Sequence, residues 1–230
     1  MTVQGIAAPS PATLVAPDVA IEISGPARRF VSRGGEKLDG ALERLDVSVT
    51  DKRWLDAGAS TGGFTDRLLQ GGAAAVAAVD VGYGQLDWGL RNDPRVTVLE
   101  RTNVRSLTAS DLPWRPDGVV ADLSFISLTT VLPALAAVAA DDADWLLMVK
   151  PQFEVGREGL AKGGVVRDRA LWLQAIEKVV GAAEAVGLGL VGAAPSPLTG
   201  PAGNREFFVH LRRGPSKADV SLATVVEDAP

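Results

Sequence analysis

Two lysines and two carboxylates stand in this sequence where they can act together on a hydroxyl group. Asp122 is the first charged residue after the apolar run Gly118-Val119-Val120-Ala121, and Lys150 follows Trp145-Leu146-Leu147-Met148-Val149 in the same way. If these runs are buried strands of an open parallel sheet, both side chains emerge at the carboxyl edge, where such sheets bind their ligands. Glu206, in Asn204-Arg205-Glu206-Phe207-Phe208, joins them if the final strand runs antiparallel, because its beginning then lies at that edge. Lys37, on a segment before the first of these strands, completes the group. A sugar hydroxyl is a poor nucleophile until its proton is taken, and a lysine takes it only where burial or a cationic neighbour disfavours the ammonium form. Lys150 is the candidate base and Lys37 the cationic neighbour that also stabilises alkoxide charge; Asp122 orients the amine, and Glu206 fixes Lys37 or a sugar hydroxyl. Singly, each has an ordinary alternative, Lys37 and Glu206 as solvated charges and Asp122 and Lys150 as strand-end ion pairs. The set carries the reading.

A second constellation belongs to a nucleoside. Leu55-Asp56-Ala57-Gly58-Ala59-Ser60-Thr61-Gly62-Gly63-Phe64 runs from a strand through a glycine-rich turn into a helix, a geometry that lets backbone approach a ligand at a helix N-terminus. About 20 residues further the next strand ends in Asp80, whose carboxylate can accept hydrogen bonds from both ribose hydroxyls of a cofactor. Asp56, Gly58, Ser60, Thr61, Gly62, Gly63, Phe64 and Asp80 are therefore candidate cofactor-binding residues, and Asn103, after the third strand, is a candidate for the adenine or else a loop cap. The spacing is neither G-x-G-x-x-G nor G-x-x-x-x-G-K-[ST], which disfavours dinucleotide oxidoreductases and phosphate-binding loops. D-x-G-x-x-x-G-G instead resembles the S-adenosylmethionine loop of class I methyltransferases. Zero cysteines and one histidine exclude disulfide scaffolds, thiolate metal sites and two-histidine mechanisms, so no metal site is expected.

Elements able to position these residues are legible as an alternation. Ser32–Val47 places Leu38, Leu42 and Leu45 at helical spacing. From Arg53 onward apolar runs (Trp54-Leu55, Val76 to Val81, Val96 to Leu99, Val119 to Ala121, Trp145 to Val149, Leu188 to Val191, Phe207 to Leu211) recur with helical patterns between them, one with Pro133 near its start. The expected fold is α/β, a doubly wound, mostly parallel sheet. The last two runs are joined by a loop without a helix, which favours an antiparallel final strand. Residues 1–27, with a strand-like alternation at 19–23, are too few for an independent domain, and 214–230 read as a loose tail. The net charge of −5 is no bar to RNA, since phosphate contact needs local positive charge; Arg28, Arg29, Arg33, Arg91, Arg157, Lys162, Arg167 and Arg205 are candidates. The glycine-rich loop 154–164 is expected either to close over substrate or to be an ordinary surface loop, Phe125 and Phe153 to pack beneath the site or stack a base, and His210 to be a structural strand histidine. With no long apolar span and no signal-peptide pattern, the expected location is the cytoplasm.

Six motifs in order, Ser32 to Leu38, Asp56 to Phe64, Asp80 to Leu86, Ala121 to Ser127, Val149 to Glu154 and Gly203 to Phe208, together resemble the TlyA family of haemolysin-named ribosomal RNA methyltransferases, related to FtsJ-type 2′-O-methyltransferases. The likeness spans 28–213. It implies a Rossmann-like class I methyltransferase domain there and a remnant of an N-terminal RNA-binding domain in 1–27. It further implies S-adenosylmethionine-dependent 2′-O-methylation of cytidine in ribosomal RNA, with a Lys-Asp-Lys-Glu tetrad on Lys37, Asp122, Lys150 and Glu206. Ribosomal RNA or ribosomal subunits would be the partner, without a membrane. Two other readings stay open: a small-molecule O-methyltransferase on the same fold, and a membrane-lytic protein as the haemolysin name suggests. The second is disfavoured by the lack of a basic amphipathic helix.

Overall fold

Unbroken apolar runs become the interior of one sheet in the computed structural model, which describes residues 2–7, 10, 13–22, 28–161 and 163–229. Near the amino end, β1 (Thr2–Val3), β2 (Ile6–Ala7) and β3 (Ile21–Glu22) pair antiparallel in the order β2-β1-β3. Ile23, the end of the alternation at 19–23, lies outside the described residues. The large sheet comprises β4 (Arg53–Ala57), β5 (Ala75–Val79), β6 (Val96–Leu99), β7 (Gly118–Ala121), β8 (Asp144–Val149), β9 (Leu188–Pro195) and β10 (Phe207–Arg213), ordered β6-β5-β4-β7-β8-β10-β9. β4 to β8 pair in parallel, and β10 runs antiparallel to both β8 and β9, so the start of β10 lies beside the end of β8. The doubly wound sheet with a reversed last strand is the one the sequence led us to expect.

Alternation along the strands builds two cores. In β8, Trp145, Leu147 and Val149 face one layer while Leu146 and Met148 face the other, and all six residues of the strand are buried. α1 (Arg33–Arg44), α2 (Gly63–Gln70) and the short α3 (Trp88–Arg91) cover the Leu146 face through Leu38, Leu42, Phe64, Leu68 and Leu90. α4 (Leu128–Val138) and α6 (Arg169–Glu184) cover the Trp145 face through Val131, Leu135, Ile176 and Val179. Each such large apolar side chain contributes roughly 1.5–3 kcal/mol by leaving water. α5 (Pro151–Glu154) is a single turn directly after β8.

Two expectations need correction. Pro133 is not near the start of its helix but in its middle, because Ser127 caps the helix upstream by accepting from the Thr129 amide and so starts it at Leu128. The tail is not loose: α7 (Leu222–Glu227) packs on α6 and β9, burying Val226 and Ala229. Six residues are too few for a helical period to show in sequence, and its cap, Ser221 accepting from the Thr224 amide, is a weak signal.

Candidate active site

The carboxyl edge of the sheet gathers the chemistry. Leaving β4, the Gly58 and Ala59 amides donate to the Val79 carbonyl at 2.8 and 3.1 Å, folding the turn onto the end of β5. The Asp80 carboxylate then accepts from the Ser60 amide at 2.8 Å and from the Gly82 amide at 2.7 Å, so it shapes the turn that it faces. Gly58 has φ +89°, and a Cβ there would lie 2.7 Å from the Asp122 carbonyl oxygen; the β4 and β7 exits approach too closely for any side chain. Beyond the turn opens a cavity of about 450 Å³, walled by Gly58, Ser60, Asp80, Asn103 and Asp122 and by the apolar Val81, Leu123 and Ile126. Asn103 also accepts from the Arg105 amide, capping a single 3-10 turn.

A second cavity, of about 410 Å³, adjoins the first across a shared wall of Gly58, Ser60, Asp122 and Ser124. Lys37 and Lys150 border it, with Arg28 and Arg33 at its rim. Lys150 Nζ is ion-paired to Asp122 at 2.5 Å and donates to Ser124 Oγ at 3.1 Å. Lys37 Nζ donates to Glu206 Oε2 at 2.5 Å, a pair in which both residues are under 10% exposed. Four elements thus bring the four residues together: α1 supplies Lys37, the β7 exit Asp122, the β8 exit Lys150 and the approach to β10 Glu206.

Not every expected residue touches a cavity. Asp56 is fully buried behind the turn, with Oδ2 accepting from Thr65 Oγ1 at 2.7 Å and Oδ1 lacking a hydrogen-bond partner. Burial pushes its carboxyl up to about 7, against the Thr65 hydrogen bond and with the Asp122 and Asp80 charges adding to the rise. It braces α2 against β4 rather than walling the cofactor cavity. Gly62 begins α2 at φ +98° beneath Leu86 and Leu90, while Thr61, Gly63 and Phe64 border the second cavity rather than the first. Phe125 does not pack beneath the site: it is 92% exposed, at φ +65°, on the rim of the first cavity, with its ring 5.3 Å from that of Phe153. The tight Asp122–Ser127 turn forces it outward. His210 lies at the opposite edge, bonded to Asp144 at 2.8 Å. Among the expected phosphate contacts Arg29 pairs with Asp39 and Arg91 with Glu100; Lys162 and the side chain of Arg157 lie outside the described residues.

Two residues the spacing did not single out complete the site. Ser124 accepts from Lys150 on the wall between the cavities; its hydroxyl two positions beyond Asp122 was the available signal. Glu154, 4% exposed, accepts from the Leu128 amide at 2.7 Å and from Ser127 Oγ at 2.5 Å, clasping the turn that carries Asp122 to the helix that follows Lys150. Burial raises its carboxyl above the usual range, opposed by the hydrogen bonds from Ser127 and Leu128 and by the Lys178 charge. Nothing in the sequence marks a glutamate at the end of a one-turn helix as buried.

A parallel sheet closed by a reversed strand, with a nucleoside-sized cavity at its carboxyl edge, is the fold of the Rossmann-like class I methyltransferases. A solved S-adenosylmethionine-dependent methyltransferase from Mesorhizobium loti has this fold at 15% identity and a TM-score of 0.57, covering 76% of this chain and 96% of its own. Within that class the chain belongs to the FtsJ-like methyltransferase family, whose model matches residues 30–213. It is 53% identical over 217 residues to the 16S/23S rRNA (cytidine-2′-O)-methyltransferase TlyA of Mycobacterium tuberculosis, covering 94% of this chain and 81% of that protein. It is 39% identical to Hemolysin A of Brachyspira hyodysenteriae, covering 80% and 77%. A solved, haemolysin-named protein from Streptococcus thermophilus superposes with a TM-score of 0.84 at 42% identity, covering 91% and 77%.

Proposed function

We propose that this chain transfers a methyl group from S-adenosylmethionine to the ribose 2′-hydroxyl of cytidine in ribosomal RNA. The observation that carries the reading is the meeting of two lysine–carboxylate pairs, one of them buried, at the second cavity, across a shared wall from a cavity suited to a nucleoside. The first cavity fits the cofactor in size, in the Asp80 carboxylate available to ribose hydroxyls, and in the apolar Val81, Leu123 and Ile126 surfaces available to an adenine. Asp80, Ser60, Gly58 and Asn103 would hold it, with Asp56 and Gly62 acting through the shape of the turn. Bound there, S-adenosylmethionine supplies a methyl group on a sulfonium leaving group.

The protein's part is placement and proton transfer. Lys150 Nζ, in its amine form, takes the proton of the 2′-hydroxyl, and Asp122 keeps that nitrogen at the wall between the cavities. Lys37, held by Glu206, presents positive charge to the oxygen as it loses its proton. Phe125, exposed at the rim, offers a ring face on which an acceptor base can stack. Named relatives act on ribosomal RNA, and this supports the acceptor class. A cytoplasmic location follows from that substrate and accords with the described residues, in which no helix is long and apolar enough to cross a membrane. Incubating the chain with tritiated S-adenosylmethionine and unmethylated ribosomal subunits tests the proposal. Label in RNA that depends on Lys150 supports it; label accepted instead by free phenols or sugars would replace it with a small-molecule reading.

A further inference from the structure

A third cavity lies away from the two already described, in the groove between the start of α6 and the loop leading into β10. It is about 350 Å³ in size and is bordered by Arg167 and Arg205, with Trp172 among its other walls. Among the described residues seven arginines, at 29, 53, 67, 91, 95, 212 and 213, are engaged in ion pairs. Arg167 and Arg205 are not: neither has a hydrogen-bond or ion-pair partner among the described residues. Yet the backbone that carries them is fastened by buried polar contacts. Asn204, 3% exposed, accepts from the Val166 amide at 2.9 Å and donates to the Gly164 carbonyl at 3.1 Å, stitching the two arginine-bearing segments together. The Trp172 indole donates to the Val166 carbonyl at 2.9 Å, and its ring lies 5.9 Å from that of Phe207. A fixed frame holding two uncompensated guanidinium groups at one cavity calls for an anion, and guanidinium matches the paired oxygens of a phosphodiester.

Position says which anion. The Glu206 carbonyl accepts from the Ser196 amide, extending the β9–β10 ladder, so residues 205 and 206 point to opposite sides of the sheet edge. Glu206 turns toward Lys37 and the acceptor cavity, on the Phe208 side, while Arg205 shares the Phe207 side with Trp172. The loop that leads into β10 borders both sites, the acceptor cavity through Pro201 and the arginine cavity through Ala202, Gly203 and Arg205. We infer that Arg167 and Arg205 bind a backbone phosphate of the RNA on one side of the acceptor nucleotide, setting the register in which one ribose reaches Lys150. This inference rests on the RNA reading above and deepens it.

Its test is the salt dependence of binding to an unmethylated ribosomal RNA fragment, measured for the wild type, Arg167→Gln, the Arg167→Gln/Arg205→Gln double variant and the corresponding double lysine variant. The glutamine double variant is expected to bind about tenfold more weakly at low salt, with a log–log salt slope shallower by about 1, and the lysine variant to keep most of that slope. S-adenosylmethionine affinity, read by calorimetry, should stay within a few fold. Arg167 is exposed, so Arg167→Gln alone keeps the test alive if the double variant fails to fold; it should move the slope in the same direction. An unchanged slope and affinity in the variants, with the wild type still methylating RNA, would overturn the phosphate site and leave the enzyme reading standing. No RNA methylation by the wild type would instead strike the reading itself, and an unaltered RNA slope with lost binding of an acidic protein would reassign the cavity to a protein partner.

Discussion

Lys150 and Asp80 stand on different sides of the wall between the two cavities, and their substitution should separate catalysis from cofactor binding. Lys150→Ala removes the proton acceptor and leaves the glycine turn intact; methyl transfer should fall by at least about 10²-fold while calorimetric affinity for S-adenosylmethionine changes only a few fold. Asp80→Ala frees the Ser60 and Gly82 amides and should weaken the cofactor first. Equal loss of cofactor affinity in both would refute these roles. Asp56 gives a pH signature of its own. With its carboxyl raised from 3.8 to about 7, the folded protein holds a proton there after the unfolded chain has released it, so this group subtracts stability as pH rises through that window. The loss amounts to at most about 4 kcal/mol, and Asp56→Asn should flatten the dependence of melting temperature on pH between 4 and 7. An unaltered profile would mean that Asp56 ionises in the folded state.

The turn from Asp122 to Ser127 and the helix after Lys150 act as one element because Glu154 joins them. Glu154→Ala leaves the Leu128 amide and the Ser127 hydroxyl without their carboxylate acceptor and should cost about 1–3 kcal/mol in chemical denaturation. Because that turn carries Asp122 and Ser124, the variant should also lose kcat more than it raises KM, with Glu154→Gln recovering part of both; a purely structural clasp would lower stability and leave the turnover of the folded fraction unchanged. Elements were read from sequence best where burial is continuous: β8 is apolar on both faces from Trp145 to Val149 because helices cover both, and those five residues announced themselves, while Asp144, which opens the strand, did not. The approach of Lys37 to Glu206, 169 positions apart, was legible only as one of two alternatives, Glu206 fixing Lys37 or a sugar hydroxyl, since nothing local reports the pairing. Phe125 was misjudged because exposure of an aromatic depends on the turn that carries it, and Asp56 because a glycine-turn acid reads the same whether it faces the ligand or braces the turn from behind.

Across the whole molecule, charge at the far edge of the sheet holds β8, β10 and the entry to β4 together. Asp144 accepts from His210 at 2.8 Å, Arg212 at 2.5 Å and Lys52 at 2.7 Å. Burial pushes its carboxyl up, but the hydrogen bonds from His210, Arg212 and Lys52 outweigh that and hold it below the usual carboxylate range. Its stabilisation is therefore complete above the unfolded value and is lost as pH falls below about 4. Asp144→Asn should destabilise the protein at pH 7 by roughly 2 kcal/mol and reduce the steepness of acid unfolding; equal acid slopes in variant and wild type would contradict this. The cofactor, acceptor and phosphate cavities all lie at the other edge, so this variant should keep its cofactor affinity once folded.

The most direct measurement is nucleoside analysis of ribosomal RNA after a single turnover with labelled S-adenosylmethionine, run with the wild type and with Lys150→Ala. The wild type should place the label in 2′-O-methylcytidine, blocking alkaline cleavage at that one ribose, and Lys150→Ala should leave it absent. Label on a base, or on ribose at an undiminished rate without the Lys150 amine, would contradict it.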